Sequence, residues 1–248
     1  MCMSRTCSER RGLCAVVCWL AIMVAAPAMA QTVSGAVTLT GADGQPPKKP
    51  DYSGVIVWLE PAGATLRPAV APLKQAAMAQ RNKTFLPHLL AIEVGTAVDF
   101  PNDDPMFHNV FSNYDGQVFD VQVYAPKTSR RVVFRRPGMV HVFCNIHETM
   151  SAVIAVLPTP YFTVTGPDGR FQLRAPAGQY RLHVWHERVE PEVAARLERA
   201  VTVGPSDATM PDAILTLSNQ PIGPHKNKYG QNYAFAPADN VFYPGARR

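Results

Sequence analysis

An all-β fold is what this sequence predicts, on three observations. Apolar and polar residues alternate at a period of two in short runs from Gln31 onward. Those runs are bounded by Gly, Pro, Asn and Asp, the residues of tight turns. One run, Ala152-Val153-Ile154-Ala155-Val156-Leu157, is apolar at every position, as expected of a strand covered on both faces.

In order, Val33-Ser34-Gly35-Ala36-Val37-Thr38-Leu39 alternates, and residues 41–50 form a loop rich in Gly, Pro and Lys. Val55-Ile56-Val57-Trp58-Leu59 is a second strand. Residues 61–80, rich in Ala and Pro without a steady period, read as a linker with room for one short helix. Leu89-Leu90-Ala91-Ile92-Glu93-Val94 and Ala97-Val98-Asp99-Phe100 read as a hairpin about Gly95-Thr96. Its second strand runs into the loop Pro101-Asn102-Asp103-Asp104-Pro105, directly before His108. Val132-Val133-Phe134 and Met139-Val140-His141-Val142-Phe143 are strands separated by Pro137-Gly138. In the second of these Val140, Val142 and Cys144 share a face, because side chains alternate sides.

Phe162-Thr163-Val164, Phe171-Gln172-Leu173 and Tyr180-Arg181-Leu182-His183-Val184 read as a tight meander. Its turns are Gly166-Pro167-Asp168-Gly169 and Pro176-Ala177-Gly178, and Tyr180, Leu182 and Val184 face one core. Residues 190–200 fit helix and strand equally. Residues 219–248, rich in Asn, Pro, Gly and Tyr, read as an extended or disordered tail.

The first 30 residues read as a secretory signal peptide. Arg5, Arg10 and Arg11 make a positive start, residues 13–26 are apolar, and Ala28-Met29-Ala30 is an A-x-A cleavage site. The apolar run is too short to span a bilayer, and no later run approaches that length. Cleavage after Ala30 leaves 218 of the 248 residues and predicts an exported, periplasmic protein. It removes three Arg and one Glu, so 24 basic and 19 acidic residues become 21 and 18, net +3. That balance is too mild to imply nucleic acid. It also removes Cys2, Cys7, Cys14 and Cys18, leaving Cys144 alone. A lone thiol in an oxidising compartment has no internal disulfide partner, and metal coordination would occupy and shield it.

Cys144-Asn145-Ile146-His147-Glu148-Thr149-Met150 supplies the rest of such a site, with His108 upstream. Two imidazoles, a thiolate and a thioether are the ligands of a mononuclear electron-transfer copper centre, with Met weakly axial. From composition alone, a His at +3 and a Met at +6 from the single Cys arises at roughly 1 in 1,400. Coincidence is therefore a poor explanation, although each residue taken singly has a packing or surface reading. Met106 fits wall packing better than a further ligand. Ser151 stands where a zincin helix needs its second His, and a structural zinc site would want more thiolates.

These residues also carry a resemblance. Residues 85–157 resemble a cupredoxin, and among cupredoxins are most similar to amicyanin, which shares the short C-x-x-H-x-x-M loop. Lys83-Thr84-Phe85, Val94-Gly95-Thr96-Ala97-Val98, His108-Asn109-Val110 and Pro137-Gly138 match in order. The resemblance implies a Greek-key β-sandwich at residues 72–157, with one type 1 copper on His108, Cys144, His147 and Met150. It also implies that Asn109 ties the two ligand loops together by hydrogen bonds. Asp168-Gly169-Arg170-Phe171 and Pro176-Ala177-Gly178-Gln179-Tyr180 resemble the turns of a carboxypeptidase regulatory-like (prealbumin-type) β-sandwich. The first half of that module resembles residues 31–65, so residues 31–65 with 158–218 are expected to form one module split by the copper domain. Pairing of residues 33–39 with strands near 171 or 182 discriminates this from an arrangement in which residues 31–60 open the copper sandwich.

The expected function is a periplasmic blue-copper electron carrier that shuttles one electron and breaks no substrate bond. Its expected partner is a c-type cytochrome or a periplasmic dehydrogenase, met by the ring edge of His147. Arg130, Arg131, Arg135 and Arg136 fit a solvated strand edge better than a steering patch. A copper oxidase or nitrite reductase would need a second centre, normally wired by a His beside the Cys; here the neighbours are Phe143 and Asn145. Copper delivery would favour clustered Met and His, whereas Met78, Met106, Met139, Met150 and Met210 are scattered. The His- and Tyr-containing tail leaves room for a weak site. A third reading makes the chain an accessory module of a larger copper redox complex.

Overall fold

A computed structural model describes residues 30–63, 74–113, 117–219 and 225–233. The proposed signal peptide and much of the 61–80 linker lie outside these residues. The described chain is all β apart from one short helix. Strands β1 (Gln31–Thr40) and β2 (Ile56–Pro61) come first. A central group follows: β3 (Gln75–Ala77), β4 (Ala79–Arg81), β5 (Thr84–Leu86), β6 (Leu89–Glu93), β7 (Ala97–Pro101), β8 (Phe111–Ser112), β9 (Phe119–Asp120), β10 (Ser129–Val133), β11 (Gly138–Phe143) and β12 (Ser151–Leu157). The chain then continues through β13 (Phe162–Val164), β14 (Arg170–Ala175), β15 (Gly178–Trp185), helix α1 (Pro191–Arg196), β16 (Arg199–Val203), β17 (Ala208–Thr209) and β18 (Ala213–Thr216).

The central strands form two main sheets, β10-β7-β3 and β6-β12-β11-β8-β9, with β4-β5 as a small hairpin. Their buried residues include Phe85, Phe100, Phe134, Val140, Val142, Cys144, Met150 and Ile154. The flanking strands form β14-β1-β17, with β18 also on β1, and β13-β2-β15-β16. β1 pairs antiparallel with β14, Val33 opposite Leu173, and β2 with β15, Leu59 opposite Leu182. The first two strands therefore pair with chain that lies more than a hundred residues later. Their alternate residues, Val33, Val37, Leu39, Val57 and Leu59, pack with Phe171, Leu173, Tyr180, Leu182 and Val184 in one core. The Asp168-Gly169 turn is pressed onto β1. Gly169 has φ +70°, and a Cβ there would lie 2.0 Å from the Val37 carbonyl oxygen; only glycine fits.

The two strand groups meet across a second apolar layer. Ile56 and Trp58 of β2 pack with Ala155 and Leu157 of β12, and with Leu89, Met139, Phe162 and Trp185. This explains the unbroken apolar run at 152–157. Ala152, Ile154 and Val156 face the central core, while Ala155 and Leu157 face the flanking sheets.

Several local expectations are corrected. Residues 89–100 are not a hairpin: β6 pairs with β12 and β7 with β10, so the turn at Gly95, φ +93°, crosses between sheets. The 162–184 strands are not a meander. β13 and β15 both join β2 while β14 joins β1, because apolar faces on both sheets must be buried against each other. The described part of the 61–80 linker holds the end of β2 and the strands β3, paired with β7, and β4, paired with β5, while residues 190–200 hold both a helix, α1, and the start of β16. Of the expected extended or disordered tail at 219–248, residues 225–233 are described; they lack regular structure and are hydrogen-bonded to the central sandwich.

Candidate metal centre

β11 ends at Phe143, so Cys144 emerges at the rim of the sheet with its side chain on the core face, fully buried. The chain turns back at once, because Phe143 and Ser151 are paired across β11 and β12. Two bonds close the intervening loop: Cys144 N–H donates to the Met150 carbonyl (3.2 Å), and Met150 N–H to the His147 carbonyl (3.1 Å). His147 therefore stands at the tip, partly exposed, while Met150 returns to the core that contains Cys144.

His108 comes from another loop. It exchanges backbone hydrogen bonds with Tyr124 (3.2 and 2.8 Å) and is fully buried. Below it lies a buried polar network: Gln80 donates to the Asn109 carbonyl (3.1 Å), and the Tyr124 hydroxyl donates to Gln80 Oε1 (2.7 Å). Asn109 Oδ1 accepts the Asn145 N–H (3.1 Å), a direct tie between the two loops, and Asn109 Nδ2 donates to Asp120 (2.7 Å).

Cys144 Sγ lies 3.9 Å from His108 Nδ1 and 3.6 Å from His147 Nδ1, and the three donor atoms lie within 4.8 Å of one another. The residues fit a soft first-row ion. With metal–sulfur about 2.3 Å and metal–nitrogen about 2.0 Å, bond angles from tetrahedral to trigonal give N···S of roughly 3.5 to 3.7 Å, against the 3.6 and 3.9 Å of this structure. Met150 is fully buried in the same core cluster as Cys144.

Asp104, which sequence reading did not single out, fixes the orientation of His108. Its Oδ2 lies 2.8 Å from His108 Nε2, so Nε2 carries the proton and the Nδ1 lone pair faces Cys144. Asp104 itself accepts N–H bonds from Asn82 (2.6 Å) and Lys83 (2.9 Å). Those two residues form the turn of the β4-β5 hairpin, both with positive φ (54° and 55°), which aims consecutive amides at one carboxylate. Burial pushes the Asp104 carboxyl up, but the Lys83 amide, His108 and the Asn82 amide together hold it below its ordinary range. Burial lowers the His108 pKa against the pull of Asp104, which favours the neutral, ligating ring. Burial raises the Cys144 thiol, and N–H groups of Asn109, Ile146 and His147 work against that rise by favouring the thiolate.

No family model matches this chain. Methylamine utilization protein MauL of Methylorubrum extorquens is 41% identical over 59 residues, 23% of this chain and 52% of that protein. The chain thus spans about half the length of this curated relative. Three solved structures are similar to parts of the chain. A Cu-containing nitrite reductase from Thermus scotoductus is 26% identical, with TM-score 0.33, over 40% of this chain and 25% of its own. A purple cupredoxin from Nitrosopumilus maritimus is 26% identical, with TM-score 0.30, over 34% and 99%. An amicyanin from Paracoccus versutus is 20% identical, with TM-score 0.32, over 36% and 86%.

Proposed function

We propose that this protein is a periplasmic electron carrier that binds one copper ion through His108, Cys144, His147 and Met150. The observation that carries the reading is the convergence of three donor atoms within 4.8 Å, two of them on fully buried residues. Bound copper supplies a one-electron couple. The chain's part is to hold a soft donor set that neither oxidation state can rearrange. His108 is fixed through Asp104, and Cys144 and His147 through the closed loop and Asn109. A site whose donors are pinned this way relaxes little when the charge changes, which lowers the barrier to transfer. Burial of His108, Cys144 and Met150 disfavours ion delivery, which needs donors that can be handed over. Phe143 and Asn145, flanking Cys144, offer no imidazole to wire a second centre, so no enzymatic step is assigned.

His147, the exposed ligand, is the contact for a redox partner, a c-type cytochrome or a periplasmic dehydrogenase. A dehydrogenase is in keeping with a relative concerned with methylamine utilization. Among the described residues no helix is long and apolar enough to cross a membrane. Within the same reading, residues 31–65 with 158–218 form one carboxypeptidase regulatory-like module interrupted by the copper domain at 72–157. The pairings of β1 with β14 and of β2 with β15 support it.

The test is the optical and paramagnetic spectrum of the copper-loaded protein. An intense red-region charge-transfer band with narrow copper hyperfine splitting is expected. A pale, tetragonal Cu(II) spectrum would contradict the carrier reading.

A further inference from the structure

Outside the sandwich, residues 225–233 lie along the ligand loop and supply what its backbone lacks. The loop's internal bonds satisfy the Met150 and His147 carbonyls but leave those of Cys144 and Glu148 without a partner inside the loop. Tyr233 hydroxyl donates to the Cys144 carbonyl (2.7 Å), and His225 N–H donates to the Glu148 carbonyl (3.3 Å). His225 Nε2 lies 3.3 Å from the His147 carbonyl. Lys228 N–H donates to Asn145 Oδ1 (2.8 Å), and its ammonium to Asp120 (2.7 Å), the carboxylate that also holds Asn109. The His225 ring packs on Phe143 at 4.4 Å between centroids and meets the Tyr233 ring edge-on at 5.3 Å. Contacts thus reach Phe143, Cys144, Asn145, His147 and Glu148, and all come from one nine-residue segment.

Those contacts are specific in kind. A buried carbonyl left unpaired is costly, so the Tyr233 donor fixes the Cys144 peptide plane, and the His225 N–H adds a hold on that of Glu148. The Cys144 carbonyl matters most, because its plane sets the direction of the Cα–Cβ bond and hence where Sγ sits. We propose that residues 225–233 are a strap that belongs to the metal centre. Tyr233 and His225 act as positioning residues that hold the 144–150 loop in its ligating shape before any ion arrives. This rests on the copper-binding reading above. Tyr229, in the same segment, is 73% exposed, and its ring, 5.4 Å from the Lys228 ammonium, would keep that contact as Phe, so it serves as an internal control.

The experiment uses full-length protein: Tyr233→Phe, Tyr233→Phe with His225→Ala, and Tyr229→Phe. Amide hydrogen exchange of residues 144–150 is measured without metal. Release of Cu(I) to a chelator and the reduction potential are measured with it. The hydroxyl deletion is expected to speed loop exchange about fivefold, as loss of one net hydrogen bond would. It should speed copper release about tenfold, the scale of an outer partner's contribution, and shift the potential. The double variant should exceed both, and Tyr229→Phe should match the parent. Loop exchange unchanged in the first two variants overturns the strap. Faster exchange with unchanged copper release and potential also overturns it, because the strap would then order the loop without serving its donors. If the parent protein retains no copper at all, the function proposed above fails, while the metal-free exchange still reports whether the strap orders the loop.

Discussion

The two strand groups bury different chemistry. The flanking sheets enclose a core of Val, Leu, Phe, Ala and Tyr side chains, and the buried polar residues on that side are threonines: Thr40, Thr159 and Thr165. The central sandwich buries an imidazole, a carboxylate and three amides: His108, Asp104, Asn102, Asn109 and Gln80. Each such group must be hydrogen-bonded to be tolerated, and here each one is. A core that needs only to be stable does not need them. Their concentration around one thiol marks where stability has been traded for a fixed donor geometry, whereas the flanking core serves folding.

That comparison can be broken most severely at Cys144. Cys144→Ser should abolish the red-region band and leave thermal unfolding of the metal-free protein nearly unchanged; a retained band would show that the sulfur is not a ligand. Next comes Asp104→Ala, which removes the partner of the His108 ring and the carboxylate that accepts from the Asn82 and Lys83 amides. Copper affinity should fall about tenfold to a hundredfold, read by chelator competition. Thr165→Val on the flanking side removes bonds to Tyr52 and Val55, and should destabilise the fold by about 1–3 kcal/mol with no change in copper affinity. Equal effects of these two on affinity would erase the distinction between the regions.

Leu157→Ala empties the layer between the groups, where Leu157 is 1% exposed. A loss of about 2–5 kcal/mol is expected in denaturant unfolding. The smallest effect concerns the ion pair that spans the same junction, His88 Nε2 to Glu187 Oε2 at 2.6 Å. The hydrogen bond that His88 donates to Glu187 raises the His88 pKa above 6.5, against burial. Burial pushes Glu187 up, but His88 and neighbouring His141 and His186 hold it below 4.5. The raised histidine stabilises fully below pH 6.5 and loses that contribution as pH climbs through its folded pKa. The lowered glutamate stabilises above pH 4.5 and loses its share as pH falls through its own. The stability gap between the parent and His88→Ala should therefore be widest between these values and narrow above pH 6.5. A gap that widens with pH would contradict the pairing.

The proposed donor set was legible because it is written locally: Cys144, His147 and Met150 share one seven-residue loop, and His108 sits just past a loop rich in turn residues. The period-two pattern likewise located most strands and the shared face of Tyr180, Leu182 and Val184. Strand partners were harder, since alternation says which face is buried but not which neighbour buries it. Hence β6 and β7 read as a hairpin, although they lie in different sheets. Asp104 was hidden among Asn102 and Asp103 as turn composition, and only the placement of the β4-β5 turn reveals its task. Tyr233 and His225 carry no periodic signal, and their role depends on contacts spanning 89 and 78 residues.

The central claim is that one ion is shared by side chains from two loops. X-ray absorption at the copper edge of the loaded protein tests it most directly. We expect one sulfur near about 2.3 Å and two imidazole nitrogens near about 2.0 Å, with the sulfur lost in Cys144→Ser and one imidazole lost in His108→Ala. A shell of nitrogen and oxygen alone, or one indifferent to His108, would contradict the account.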